Sequence, residues 1–499
     1  MFHPTSIAWF LGTWASLYLL DAFLKTNSTV SRRYLHFLHY SGLSVSIGQI
    51  RWYTTYFNRL LLRVGQWKPC WLQTWFTWGV YFGILAMFGA VGVLGMTLVN
   101  AVKQKPTEKQ VLTPVMPGVN LPMNQISYYL LTLLVCGILH ELGHAIAAVR
   151  EQVRVCGFGL FVFAIYPGAY VNLYTEHLQA VSPMRQLRVY CAGVWHNFVV
   201  VLIAIAALVS LPWLLSLFYH TGNAVVITSV MEGSSVSGPR GLYVGDEVRS
   251  MSGCRVSSVT DWLICINGAM AARTSSGYCM PLPLLDKHNI ALDVYTDASG
   301  TPQCCRNSSA THLCFLYHTR QASGAQRISH FSSVQKYACL PARTTTDRQP
   351  CHVQKDCFNP TVPHVCVVPS VDNSTKLLRV ERRGNQALLF LGYPLDLHYA
   401  VTLSDYVPSY SFVPVHMPYI IETFCKYVIS LSGALALLNV VPCYALDGQF
   451  ILLALIELSL TSIVPNAEHR GSIYMLIMMF GTILLSANIV VAMWSLFVH

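Results

Sequence analysis

Seven stretches of the chain stay apolar for about 20 residues, the length a helix needs to cross a bilayer. They cover residues 7–24, 75–99, 126–149, 189–218, 419–441, 446–464 and 472–497. Between the fourth and fifth lies a long polar interval, 221–418, and between the first and second a shorter one, 25–72. Residues 155–173 are also apolar, but Gly157, Gly159, Pro167 and Gly168 interrupt them too often for a straight helix. Short strands or a re-entrant hairpin are expected there. Irregular backbone at membrane depth persists only when buried in protein or lining a wet cavity. Within the polar interval, the run Pro239-Arg240-Gly241-Leu242-Tyr243-Val244-Gly245-Asp246-Glu247-Val248 reads as strand-like. No internal repeat is visible.

Composition agrees with that pattern. Of 499 residues only 11% are charged and 54% are hydrophobic, against about 25% charged in ordinary soluble proteins. So little charge excludes a water-soluble enzyme, a coiled coil or a disordered scaffold and leaves an α-helical polytopic membrane protein. The net charge of +10 is scattered between apolar runs rather than gathered on one face, so no nucleic-acid partner is expected.

Where the charges fall predicts topology. Lys25, Arg32, Arg33, Arg51, Arg59, Arg63 and Lys68 occupy an interval with no Asp or Glu, the mark of a cytosolic loop beside spans. The first segment has no basic leader and no small-residue cleavage site, so it is expected to remain as a span. Ten of the sixteen cysteines (Cys254, Cys265, Cys279, Cys304, Cys305, Cys314, Cys339, Cys351, Cys357, Cys366) lie in the 221–418 interval, along with glycosylation sequons at Asn307 and Asn373. That density predicts disulfides in an oxidising lumen. Placing the interval in the lumen puts Arg150 and the 25–72 loop in the cytosol, so two separate signals agree. The expected domains are 1–124 (first spans and basic loop), 125–220 (first half of a membrane core), 221–418 (lumenal β-rich, disulfide-bonded insertion) and 419–499 (second half of the core).

Inside the third apolar segment stands His140-Glu141-Leu142-Gly143-His144. On a helix, i and i+4 share a face, so both imidazoles can hold one metal ion, with Glu141 beside them to move protons. This is the H-E-x-x-H pattern of zinc peptidases. Charged groups at membrane depth cost on the order of 3 kcal/mol each, so they are functional by default. A third protein ligand must come from another apolar run. Asp447 in Asn439-Val440-Val441-Pro442-Cys443-Tyr444-Ala445-Leu446-Asp447-Gly448 is the leading candidate, with Glu457 and the softer Cys443 as competitors. A zinc-dependent receptor or a metal transporter is the non-enzyme alternative. A membrane peptidase acting on non-spanning peptides is the enzymatic one.

These motifs, with Gly193-Val194-Trp195-His196-Asn197 in the fourth segment and the cysteine-rich interval, resemble the site-2 protease family of intramembrane zinc metalloproteases, most closely its animal members, over essentially the whole chain. The resemblance implies one Zn2+ per chain on His140, His144 and Asp447, with Glu141 as catalytic acid/base. It implies roles for Asn197 in holding substrate and for Asn439 as the motif Asn. This chain departs from the bacterial Asn-Pro-Asp-Gly form of that motif, since Pro442 precedes Asp447 by five residues. The family implies residence in the Golgi or ER membrane. It also implies single-span substrates, namely sterol-responsive and unfolded-protein-response transcription factors already clipped in the lumen. The Gly241–Asp246 run resembles part of a PDZ domain, a fold that binds peptide ends. Neither the sequence nor the resemblance fixes an oligomeric state. His144 lies six residues before Arg150, about 9 Å from the helix end, so a cut at that depth would release a fragment to the cytosol.

Overall fold

The computed structural model describes residues 4–103, 122–272, 275–288, 293–297, 300–305, 311–321, 332–358 and 362–498. Asn307 lies outside the described residues. The chain folds as two units, one of Met1–Leu211 with Ile421–His499 and one of Pro212–Ile420.

Among the described residues the first unit is built on seven apolar helices: α1 (Pro4–Thr26), α2 (Pro69–Val102), α3 (Ile126–Arg150), α4 (Ala192–Leu215), α5 (Met417–Asn439), α6 (Asp447–Ser459) and α7 (Ala467–Val498). Among the described residues five are long and apolar enough to cross a membrane: α2, α3 with its leading turn, α4, α5 and α7. α1, with Asp21 and Lys25 in its last turns, covers the first expected segment. One of the seven expected spans differs. α6 has 13 residues, about 20 Å of helix against a hydrocarbon core of about 30 Å. The reason lies in the preceding segment: the chain turns through 440–446, with Ala445 at φ +70°, and consumes residues a full span would need.

Each helix has two kinds of apolar face. On α2, Phe76, Val80, Met87, Ala90 and Leu94 are buried, while Trp78, Tyr81, Leu85 and Phe88 are more than half exposed. Large apolar side chains in such numbers on an outer face are stable only against lipid. The inward face of α2 joins Leu187, Val194, Val441, Ile451 and Met478 in one packed core.

The basic interval 25–72 is more structured than a loop. It forms helices Ser31–Ser41 and Asn58–Gly65 around a hairpin of β1 (Leu43–Ser46) and β2 (Gln49–Thr54). The glycine-broken segment folds as expected into a hairpin, β3 (Val155–Phe163) and β4 (Tyr166–Leu173), and β2 pairs antiparallel with β3 from Gln49↔Phe163 to Thr54↔Phe158. The result is a four-stranded sheet in the order β1-β2-β3-β4. The signal for the first hairpin was present: Ser44-Val45-Ser46-Ile47-Gly48-Gln49-Ile50 alternates around Gly48, whose φ is +67°.

The second unit is β-rich. One antiparallel sheet runs in the order Leu388–Gly392, Lys376–Arg382, Glu247–Met251, Val225–Val230, Val401–Ser404, and Trp262 and Ile266 of the helix Val259–Ala271 pack into its core. A second sheet runs Ser332–Pro341, His312–Gln321, His364–Pro369, Gly277–Pro281, Pro350–Cys351. The strand expected across 239–248 begins only at Glu247. The residues before it form turns closed by Gly241 N–H to Gly238 O and Leu242 N–H to Val236 O. All ten of its cysteines pair: Cys254–Cys265, Cys279–Cys357, Cys304–Cys314, Cys305–Cys339 and Cys351–Cys366. Asn373 is exposed in a turn.

Candidate active site

His140 and His144 lie one turn apart on α3, whose inner face from Gly143 to Val149 is buried. The first turn of α4 packs directly against them. A Cβ on Gly143 would stand 2.7 Å from Ala192 O, and one on Gly193 would stand 2.6 Å from His140 Nε2. Glycine at both positions is therefore what lets the helices approach and leaves room for the imidazoles. His144 Nδ1 lies 2.8 Å from the Val189 carbonyl, which holds a proton on Nδ1 and leaves Nε2 unprotonated in the neutral ring.

Asp447 arrives from the far end of the chain as the first residue of α6, where its charge complements a helix N-terminus. Gly448 lets the chain pack closely here, because a Cβ on it would meet Val441 O at 2.0 Å. The turn is pressed tight, and only glycine fits. Asp447 Oδ2 thereby reaches 3.0 Å from His140 Nε2 and 3.2 Å from His144 Nε2, while the two Nε2 atoms are 3.1 Å apart. Around a tetrahedral zinc with ligands at about 2.0–2.1 Å, donor atoms sit about 3.3 Å from one another. The three donors fit such an ion in chemistry and spacing, and they form the one His/Asp donor group among the described residues. Asp447 is about a quarter exposed, whereas both histidine side chains are nearly covered, so the group is open on one side.

Of the competing ligands, Glu457 instead accepts from Arg470 Nε at 3.3 Å, and Cys443 is buried with its Sγ directed at Tyr444 O. Glu141 Oε2 accepts the Val171 N–H at 3.0 Å, which fastens β4 alongside the site. Asn439 Nδ2 stands 3.5 Å from His140 Nε2. Asn197, fully buried, has its amide 3.1 Å from His140 Nδ1. Sequence reasoning did not single out the Val171 amide or the Val189 carbonyl. Both are backbone groups, which leave no mark on residue identity.

A donor triad of this kind, buried among long apolar helices with a carboxylate one residue from a donor histidine, is what the class of membrane-embedded metallopeptidases presents. The sequence profile of peptidase family M50 matches residues 128–484. The membrane-bound transcription factor site-2 protease homolog of Arabidopsis thaliana is 26% identical over 457 residues, which is 83% of this chain and 86% of that protein. The chain belongs to peptidase family M50, the site-2 protease family of zinc intramembrane metalloproteases.

Proposed function

We propose that His140, His144 and Asp447 hold a single zinc ion and that Glu141 is the catalytic acid/base of an endopeptidase that cuts within membrane-spanning segments. The observation that carries this reading is the convergence of three donor atoms within 3.0–3.2 Å, from residues as far as 307 positions apart in sequence, next to Glu141. A zinc ion held there would supply Lewis acidity toward the scissile carbonyl and the attacking water. Glu141 takes a proton from that water and passes it to the leaving nitrogen. Its hydrogen bond from Val171 N–H fixes the carboxylate in place for both transfers. Asn439, half-buried beside His140, is positioned to donate to the substrate carbonyl oxygen.

A spanning helix hides its peptide bonds and must unwind before attack. β4 pairs on one side with β3, and its other edge approaches α3, with Ala169 N 3.8 Å from where a Cβ on Gly137 would sit. The strand therefore flanks the catalytic helix, and an unwound substrate adding to the sheet would be delivered to Glu141. We take the Pro212–Ile420 unit to be lumenal and glycosylated at Asn307 and Asn373, with PDZ-like features that read peptide ends; its five disulfides support an oxidising compartment. The substrates would be single-span transcription factors already cut in the lumen, in Golgi or ER membranes, with the cytosolic fragment released.

The test is reconstitution with a panel of single-span substrates, with and without intact lumenal domains, and mass mapping of the cut. Cleavage inside the span of shortened substrates is expected, with Glu141→Gln inactive yet zinc-loaded. Full proteolysis by purified Glu141→Gln protein, or preference for peptides lacking a span, overturns the reading.

A further inference from the structure

Asn197 sits one helical turn after Gly193 on α4, on the face turned toward His140 and His144. Its side chain is fully buried. Nδ2 stands 3.1 Å from His140 Nδ1, and Oδ1 has no hydrogen-bond partner. A buried carbonyl oxygen left unpaired is destabilising. An amide fills nearly the same space after a half-turn about its last bond, so hydrogen bonding decides which end faces the ring.

The two orientations have opposite chemical consequences. If Nδ2 donates to His140 Nδ1, the neutral imidazole must carry its proton on Nε2, the atom 3.0 Å from Asp447 Oδ2 and 3.1 Å from His144 Nε2. That nitrogen then has no lone pair to offer a metal. If Oδ1 faces the ring, it accepts the Nδ1–H, and the Nε2 lone pair points at the other two donors. His144 already has this arrangement through the Val189 carbonyl at 2.8 Å. Metal-ligating histidines as a class hand their second ring N–H to an oxygen acceptor, which fixes ring and tautomer together.

We propose that Asn197 is a positioning residue for the metal site: its Oδ1 accepts the His140 Nδ1–H and holds Nε2 in the ligating form, while Gly193 leaves the imidazoles their space. Lodged behind the ring, the amide is screened from substrate by His140 itself. The proposal rests on the zinc reading of the His140–His144–Asp447 group.

The test uses the full-length purified chain. Zinc affinity is measured by competition with a chelator, and the visible spectrum is recorded with Co2+ in place of zinc, for wild type, Asn197→Ala and Asn197→Asp. Asn197→Ala is expected to weaken zinc binding about 10–100-fold, to alter the Co2+ bands, and to regain cleavage as zinc is added. Asn197→Asp keeps an oxygen acceptor of the same size and is expected to retain zinc affinity within a few-fold. If Asn197→Ala does not fold, Asn197→Leu gives the same comparison with the site filled. Unchanged zinc affinity and spectrum with reduced cleavage overturn the proposal in favour of a substrate contact. Equal losses in Asp and Ala overturn it in favour of simple packing. His140→Ala binding zinc like wild type would instead break the zinc reading beneath it.

Discussion

The two units of this protein differ in what their buried polar groups leave free. In the membrane unit one group gathers donors without closing on itself: His140, His144 and Asn197 are buried, and Asp447 completes the group. The unit's other buried carboxylates are tied into the fold, Glu151 to Arg185 and Arg188 and Asp21 to Lys25 and Tyr34, beside apolar packing such as the α2–α6–α7 core. In the Pro212–Ile420 unit the buried charges bind the fold throughout. Arg382 Nη1 lies 2.6 Å from Asp246 Oδ2, both side chains almost fully covered, and Asp246 also accepts from the Tyr243 N–H and from Asn385 Nδ2, each at 2.9 Å. Five disulfides complete the network. A buried carboxylate whose partners are all protein donors is spent on structure. One that faces two imidazoles and an open side remains available for chemistry.

That contrast can be broken by exchanging the expected effects. The largest is at Asp447: Asp447→Ala should abolish bound zinc and lower cleavage by at least about 10³-fold, while circular dichroism and disulfide mapping show the other unit unchanged. In the β-rich unit Asp246→Ala leaves Arg382 buried without its partner and should cost about 3–5 kcal/mol of that unit's stability, read as a lowered unfolding temperature with zinc content intact. Gly448→Ala sharpens the comparison on the membrane side. Its Cβ would collide with Val441 O, so the turn must open and Asp447 must move, weakening zinc binding although no ligand is altered.

The smallest effect is a pH dependence. Burial raises the Glu247 pKa, but hydrogen bonds and charge from Arg249 and Arg383 outweigh it and hold the carboxyl below its ordinary value of 4.5. A folded pKa below the unfolded one adds stability above about pH 4.5 that is lost as pH falls through the folded value. Unfolding temperature should therefore drop as pH falls from about 6 to about 4, and Glu247→Gln should flatten part of that slope. A steeper slope in the variant would contradict the sign.

Much of this was legible in the linear chain because membrane insertion makes composition informative. An apolar run of sufficient length has few alternatives to a spanning helix, and an ionisable group inside one is costly enough to be noticed. His140, Glu141, His144 and Asp447 stood out for that reason, and the 155–173 hairpin stood out because glycines and a proline interrupt its apolar run. Less visible was whatever depends on backbone paths. The first hairpin, β1–β2, was hidden in a basic interval that reads as a loop because its strands are short and half-exposed. The sixth span proved short because a tight turn at 440–446 took its residues, a trade that hydropathy does not register.

The sequence by itself determined that the chain lives in a membrane, that it carries a two-histidine metal motif on a helix, and that its polar interval is rich in cysteines. Only tertiary structure decided which carboxylate joins the histidines, because Asp447 and Glu457 look alike to hydropathy and differ in where a glycine lets the chain turn. It also decided the cysteine partners. Cys314 and Cys339 face each other across one ladder and Cys279 and Cys366 across another, yet each bonds to a different cysteine. Local pattern is set by residue type and period. Partnership across hundreds of residues is set by the packing of whole elements, which no short window of sequence contains.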